Sequence, residues 1–170
     1  MKYIFTIILL FITQISIAKE QCDPISIGLD KESSKIEKHF YTGTCHYRNK
    51  DYLLSVKNWE KLSSLKSESA SDKELKVDVL NNLGYMKFFG FGTERDQKTA
   101  VLYWEEAILL GHSEAEYHLC HAFADQNETT FNLSKAIKHC EKARSIYSRK
   151  DNLDPQILSI IESYIQKISD

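Results

Sequence analysis

The sequence predicts an all-α protein: an α/α helical-repeat solenoid of about three hairpins plus a C-terminal capping helix. Three observations lead there. Apolar residues recur at helical spacing in successive segments, and no alternating strand pattern appears. Only 6 Gly and 2 Pro occur in 170 residues, too few for the turns of a strand sandwich. One order of capping, small and bulky residues is written three times, starting at Asp51, Asp96 and Asn132. With 27% charged and 42% hydrophobic residues the chain is neither a disordered tail nor a fibre. A net charge of −2 offers no basic field for a phosphate backbone, so nucleic acid is not an expected partner.

The elements are taken in chain order. Residues 1–18 read as a secretory signal peptide: Lys2, an apolar run from Tyr3 to Ile12, then small Ser16 and Ala18 before the expected cut. The run is short for a membrane span, and no later run is longer. Periplasmic or secreted location without stable membrane insertion is therefore expected. Residues 19–32, with Asp23, Pro24 and Gly28, form an irregular lead-in. The helical domain then occupies 33–170. Its first helix is expected over Ser33–Asn49. The second runs from Asp51 to about Ser67, with Leu53, Val56, Trp59 and Leu62 on one stripe. A third spans Ser71–Phe89, opening on a Ser71-x-x-Glu74 capping box and stopped by Gly90. Asp96 caps a fourth, which runs to about Leu110 and ends at Gly111. Ser113–Ala124 and Leu133–Ser148 come next. A seventh, Asn152–Ile168, carries Pro155 in its first turn, where proline is tolerated.

The four cysteines fit an oxidising compartment, and four allow three pairings. Local closure favours Cys22 with Cys45 and Cys120 with Cys140. A zinc site is the rival, since Cys45-His46, Cys120-His121 and His139-Cys140 set sulfur beside nitrogen. Adjacent helical residues diverge by about 100°, and no C-x-x-C occurs, so no metal is expected.

Aligned on their caps, the three copies place Ser55, Ala100 and Ala136 four residues on. Val56, Val101 and Ile137 come next, and Trp59, Trp104 and Cys140 stand eight on. A small residue lets paired helices approach, and one hairpin alone cannot bury its apolar face. The middle copy reads Leu83-Gly84, Gly90-Phe-Gly92, Asp96 to Ala100, Tyr103-Trp104, Ala107, Gly111, Ala115 and Leu119, and resembles a Sel1-like repeat, a relative of the tetratricopeptide repeats. The resemblance is clearest over 79–122. The third copy has Cys120 in place of Gly84 and Gln126-Asn-Glu128 in place of the Gly-x-Gly loop, and the first copy lacks the loop.

The resemblance implies a non-enzymatic, protein-binding module. An immunity or inhibitor protein that neutralises a secreted toxin is the favoured role. A cell-envelope adaptor or signalling regulator is the alternative, and a small hydrolase the minor one. On the family's pattern the first helix of each hairpin lines the concave face, with Leu83 and Leu119 pointing inward. Asn82, Tyr85 and Phe89, with His118 and His121, then face the groove as protein-binding candidates. Neither a Ser nucleophile elbow nor a zincin motif nor a phosphate loop is present, and no cofactor is expected. Glu114, His118 and His121 share a helical face and form the weak acid–base or metal candidate. The pairs Glu105/Glu106 and Glu114/Glu116 are expected to be solvated surface.

Overall fold

The computed structural model describes residues 19–149 and 154–169. The signal-peptide reading of 1–18 lies outside the described residues, as does the expected start of the last helix at Asn152. Seven helices succeed one another, with no strand among the described residues: α1 Lys35–Arg48, α2 Tyr52–Ser64, α3 Ala70–Phe89, α4 Gln97–Leu109, α5 Ala115–Ala124, α6 Leu133–Tyr147 and α7 Pro155–Ser169. They pair as hairpins α1/α2, α3/α4 and α5/α6, and α7 closes the end against α6 and α5.

Caps set the boundaries. Ser34 and Glu37 form a reciprocal capping box on α1. Asp96 and Asn132 accept from the backbone N–H groups of Thr99 and Lys135, opening α4 and α6. Asp154 accepts from the N–H of Gln156 and Ile157 ahead of Pro155. The third helix departs from expectation. Its cap is Ser69, not Ser71, because Ser69 Oγ takes the N–H of Asp72. The buried Asp72 carboxylate is itself held by Ser34 Oγ at 2.7 Å and Glu68 N–H at 3.0 Å, which fixes the earlier start. The fifth helix begins at Ala115, later than the expected Ser113, with no side-chain cap on Glu114. The second ends at Ser64, short of Ser67.

Two devices recur in every hairpin, and a third in the first two. The crossing is closed by one backbone bond, from Asp51 N–H to His46 C=O (2.9 Å), Asp96 to Lys87 (2.9 Å) and Asn132 to Phe123 (3.0 Å). Ser55, Ala100 and Ala136 are each fully buried at the close approach. One turn on, a glycine faces a tryptophan. A Cβ on Gly43 would lie 2.6 Å from Trp59 Nε1, and one on Gly84 2.6 Å from Trp104 Nε1. The indoles donate to Phe40 C=O at 3.3 Å and Asn81 C=O at 3.1 Å. In the third hairpin the same two positions are Cys120 and Cys140, joined as a disulfide with Cα atoms 4.5 Å apart. The first hairpin is therefore a structural copy of the second despite its shorter connection, which needs Lys50 in the left-handed region (φ 61).

Successive hairpins are also docked alike. Gly92 (φ +68) lies against the start of α2, where any Cβ would meet the Tyr52 carbonyl carbon at 2.3 Å, and Phe91 stacks on Tyr52 at 5.1 Å. One repeat on, Glu128 and Thr129 meet Gln97 at the start of α4 by hydrogen bonds, with Thr129 N–H to Gln97 Oε1 at 3.0 Å. At the N-terminal end, the Cys22–Cys45 disulfide ties the lead-in to α1, with Cα atoms 5.5 Å apart. Glu20 pairs with Arg48 beside it at 2.9 Å.

Candidate protein-docking groove

The first helices of the hairpins expose their aromatic residues toward one another. Between α1, α3 and α5 lies a cavity of about 360 Å³. Phe40, Thr44 and Tyr47 come from α1, Asn82 and Tyr85 from α3, and His118 from α5. The sequence places these side chains together because each is fixed by the repeat register. Tyr85 comes directly after the Gly84 packed on Trp104, so it turns away from the hairpin core while Leu83, 2% exposed, turns into it.

Three of the five docking candidates, Asn82, Tyr85 and His118, meet at this cavity. Phe89, 37% exposed, extends it, with its ring 4.8 Å from Tyr85. His121 does not join them. Its Nδ1 is hydrogen-bonded to the Tyr164 hydroxyl of α7, and its ring lies edge-on to Phe88 at 5.4 Å. The capping helix thus covers the residue expected in the groove, because α7 folds back over α5. His118 lies flat on Trp104, rings 5.0 Å apart and 12° from parallel. Burial brings its pKa down to about 4, and the neighbouring imidazoles of His121 and His112 act the same way, so it is uncharged at neutral pH. Burial also lowers His121, while Asp125 and Glu128 oppose that shift. Tyr47 is held above the ordinary phenol range by burial and by the Tyr85 and Tyr52 phenols, so it keeps its proton.

The proposed Glu114–His118–His121 set is not assembled as a unit. The two imidazoles are committed to Trp104 and Tyr164 respectively, and no group of three metal-ligating side chains stands together among the described residues. The expectation that Glu116 is solvated is corrected. Glu116 is 3% exposed and holds His139 Nδ1 at 2.5 Å and Lys142 Nζ at 3.1 Å. Burial raises the Glu116 pKa, but the hydrogen bonds from His139 and Lys142 and their charges outweigh it and leave a net lowering. Helical spacing alone does not show this burial, since both partners arrive from α6. Glu106 is exposed as expected, and Glu105 has Lys135 at 3.5 Å.

Sequence reasoning missed Phe40, Thr44, Tyr47 and Asn81 as groove residues. The signal was available in register: Thr44, Tyr85 and His121 stand directly after the small-residue sites at Gly43, Gly84 and Cys120. Trp59, expected as packing, does pack on Gly43 and also reaches the cavity wall.

The Sel1 repeat family model matches residues 77–112 and 113–145. These ranges correspond to hairpins α3/α4 and α5/α6. No curated protein and no solved structure matches the chain.

Proposed function

From the premise that residues 77–145 are two Sel1 repeats, tetratricopeptide-related helical modules that generally bind other proteins, we propose that this chain is an exported docking protein. Its partner sits in the groove between α1, α3 and α5, on Asn82, Tyr85, Phe89 and His118. His121 contributes by holding α7 in place. The single observation that carries the reading is the aromatic cavity between the first helices, left open while the small-residue faces of the same helices are fully packed. Aromatic side chains with one polar tip are the usual anchors of protein interfaces.

Export is supported by the signal-like 1–18 and by two closed disulfides with no free cysteine among the described residues. No helix of the described residues is long and apolar enough to cross a membrane. The test is capture from periplasmic extract on the purified protein, with retained proteins identified by mass. Tyr85→Ala is expected to weaken capture at least tenfold, about 1.4 kcal/mol, with unchanged helicity. Glu106→Ala, on α4, is expected to have no effect. The reverse pattern places the site on α4. A secreted toxin as the retained protein makes the chain an immunity protein, and an envelope component makes it an adaptor.

A further inference from the structure

The aromatic stripe beside the groove continues under the capping helix. Tyr85 meets Phe89 at 4.8 Å, Phe89 meets His121 at 5.9 Å, and His121 meets Tyr164 of α7 at 5.5 Å. The first two contacts join residues of the first helices, and the last is made by α7. The third hairpin's share of the stripe is therefore present but covered. α7 covers it with one amphipathic face: Ile157, Ile161, Tyr164, Ile165 and Ile168 all pack on the core.

This cover is lightly held. Of the 15 residues of α7 only Ile161 is buried, the fewest of any helix, whereas α5 beneath it buries seven of its 10. Its polar ties to the body are the Tyr164 hydroxyl on His121 Nδ1 and an Arg144–Glu162 pair at 4.0 Å. The side chains of that pair are 40% and 50% exposed, so it contributes little. The closed arrangement also leaves His121 Nε2 buried with no partner, a cost that ends when the imidazole meets water. An element with so few buried contacts opens at a lower free energy than the whole fold.

We propose that α7 is an autoinhibitory lid. In the free protein it closes the seat that α5 and α6 form beside the groove, and the partner displaces it by laying the apolar face of one of its own helices in that seat. The form of the occupant is given by what the seat already holds: a helix with apolar residues at i, i+4, i+7, i+8 and i+11, starting from Ile157. This rests on the docking reading above and adds a second part of the surface and the class of partner segment that fills it.

The test begins with amide hydrogen exchange on the purified, isotope-labelled protein. The α7 amides are expected to exchange as a group ahead of those of α3 and α5. Tyr164→Phe, which removes the hydroxyl alone, is expected to speed exchange in α7 about tenfold and leave α3 unchanged. The binding probe is a synthetic peptide with the sequence of residues 154–169. It should give saturable shifts at His121 and Arg144, about tenfold more tightly in Tyr164→Phe than in the wild type, because affinity scales with the open fraction. The same peptide carrying Ile161→Asp and Ile165→Asp is expected not to bind. Saturating peptide should release the protein captured from extract by Tyr164→Phe. Exchange of α7 only together with α5, which needs no variant to observe, overturns the proposal. So does equal binding of the Asp-bearing peptide, peptide affinity unchanged by Tyr164→Phe, or capture untouched by saturating peptide. Loss of capture on Tyr85→Ala with no separate opening of α7 removes this inference and leaves the docking reading standing. Opening and peptide binding with capture unaffected by Tyr85→Ala removes the docking reading instead.

Discussion

The second and third hairpins solve the same packing problem with different chemistry. In α3/α4 the close approach is a glycine under an indole, Gly84 and Trp104, completed by the Trp104 N–H bond to Asn81 C=O. In α5/α6 the equivalent positions are Cys120 and Cys140, covalently joined and both fully buried. The connection docking differs in the same way: Gly92 touches the Tyr52 backbone directly, whereas Glu128 and Thr129 reach Gln97 through hydrogen bonds. The repeat thus preserves where two helices must meet, not the residues that meet. A large side chain can fill the space at the crossing, or a disulfide can fix its distance without filling it.

That contrast sets the order of expected effects. Trp104→Ala removes a side chain 1% exposed, and a buried aromatic truncated to alanine costs ~3–5 kcal/mol. Chemical denaturation should show this as a lower midpoint at unchanged slope. A loss under about 1 kcal/mol, far below the cost of an emptied aromatic site, would mean that the Gly84–Trp104 contact does not hold the second hairpin. Replacing Cys120 and Cys140 together by alanine should cost less, about 2–4 kcal/mol. Reduction of the native protein should bring the wild type to the same midpoint as that variant, to the extent that Cys22–Cys45 is left intact. A larger loss from the cysteine pair than from Trp104 would reverse the ranking of the two devices.

Acid separates the seam between the hairpins from the inside of the third. His118, on α5, lies on Trp104 of α4 and has its folded pKa lowered to about 4 from 6.5. The unfolded chain therefore binds the proton first. Stability from this group is complete above about pH 6.5 and is lost as pH falls toward 4, on the order of 3 kcal/mol in all. Glu116, inside the third hairpin, has its pKa lowered, so its contribution is present above the ordinary carboxylate range and disappears only at lower pH, as the folded group protonates. Thermal melts from neutral pH down through the carboxylate range should show two steps. His118→Phe should flatten the upper one and Glu116→Gln the lower one. A single step removed by either variant alone would merge the two regions into one electrostatic unit. Sharpest on register, though it empties the same indole site, is the pair Gly84→Cys with Trp104→Cys. It should close a further disulfide under oxidising conditions, detected as loss of alkylation at both positions. Full alkylation would show that the second crossing does not superpose on the third.

Much of this was legible in the residues themselves. Asp96, Gly90 and Gly111 end or begin helices through local bonds, and these helices fall where local chemistry puts them. The Cys120–Cys140 pairing was legible because both residues stand at repeat positions that face each other. Misreadings arose where a distant partner decides. Ser69-x-x-Asp72 and Ser71-x-x-Glu74 are both capping patterns, and the choice is made by Ser34 from another helix. Glu116 looks like surface until His139 and Lys142 arrive from α6. His121 reads as a groove residue until Tyr164 covers it, and the cavity forms only where α1, α3 and α5 come together.

Docking of the partner between the first helices is best tested by photo-crosslinking in periplasmic extract. A benzophenone-bearing residue in place of Asn82, on the cavity wall, should form a covalent adduct with the captured protein. The same residue in place of Leu102, 62% exposed on α4, should form none. Adducts from position 102 with none from position 82 would overturn this placement and assign docking to the second helices.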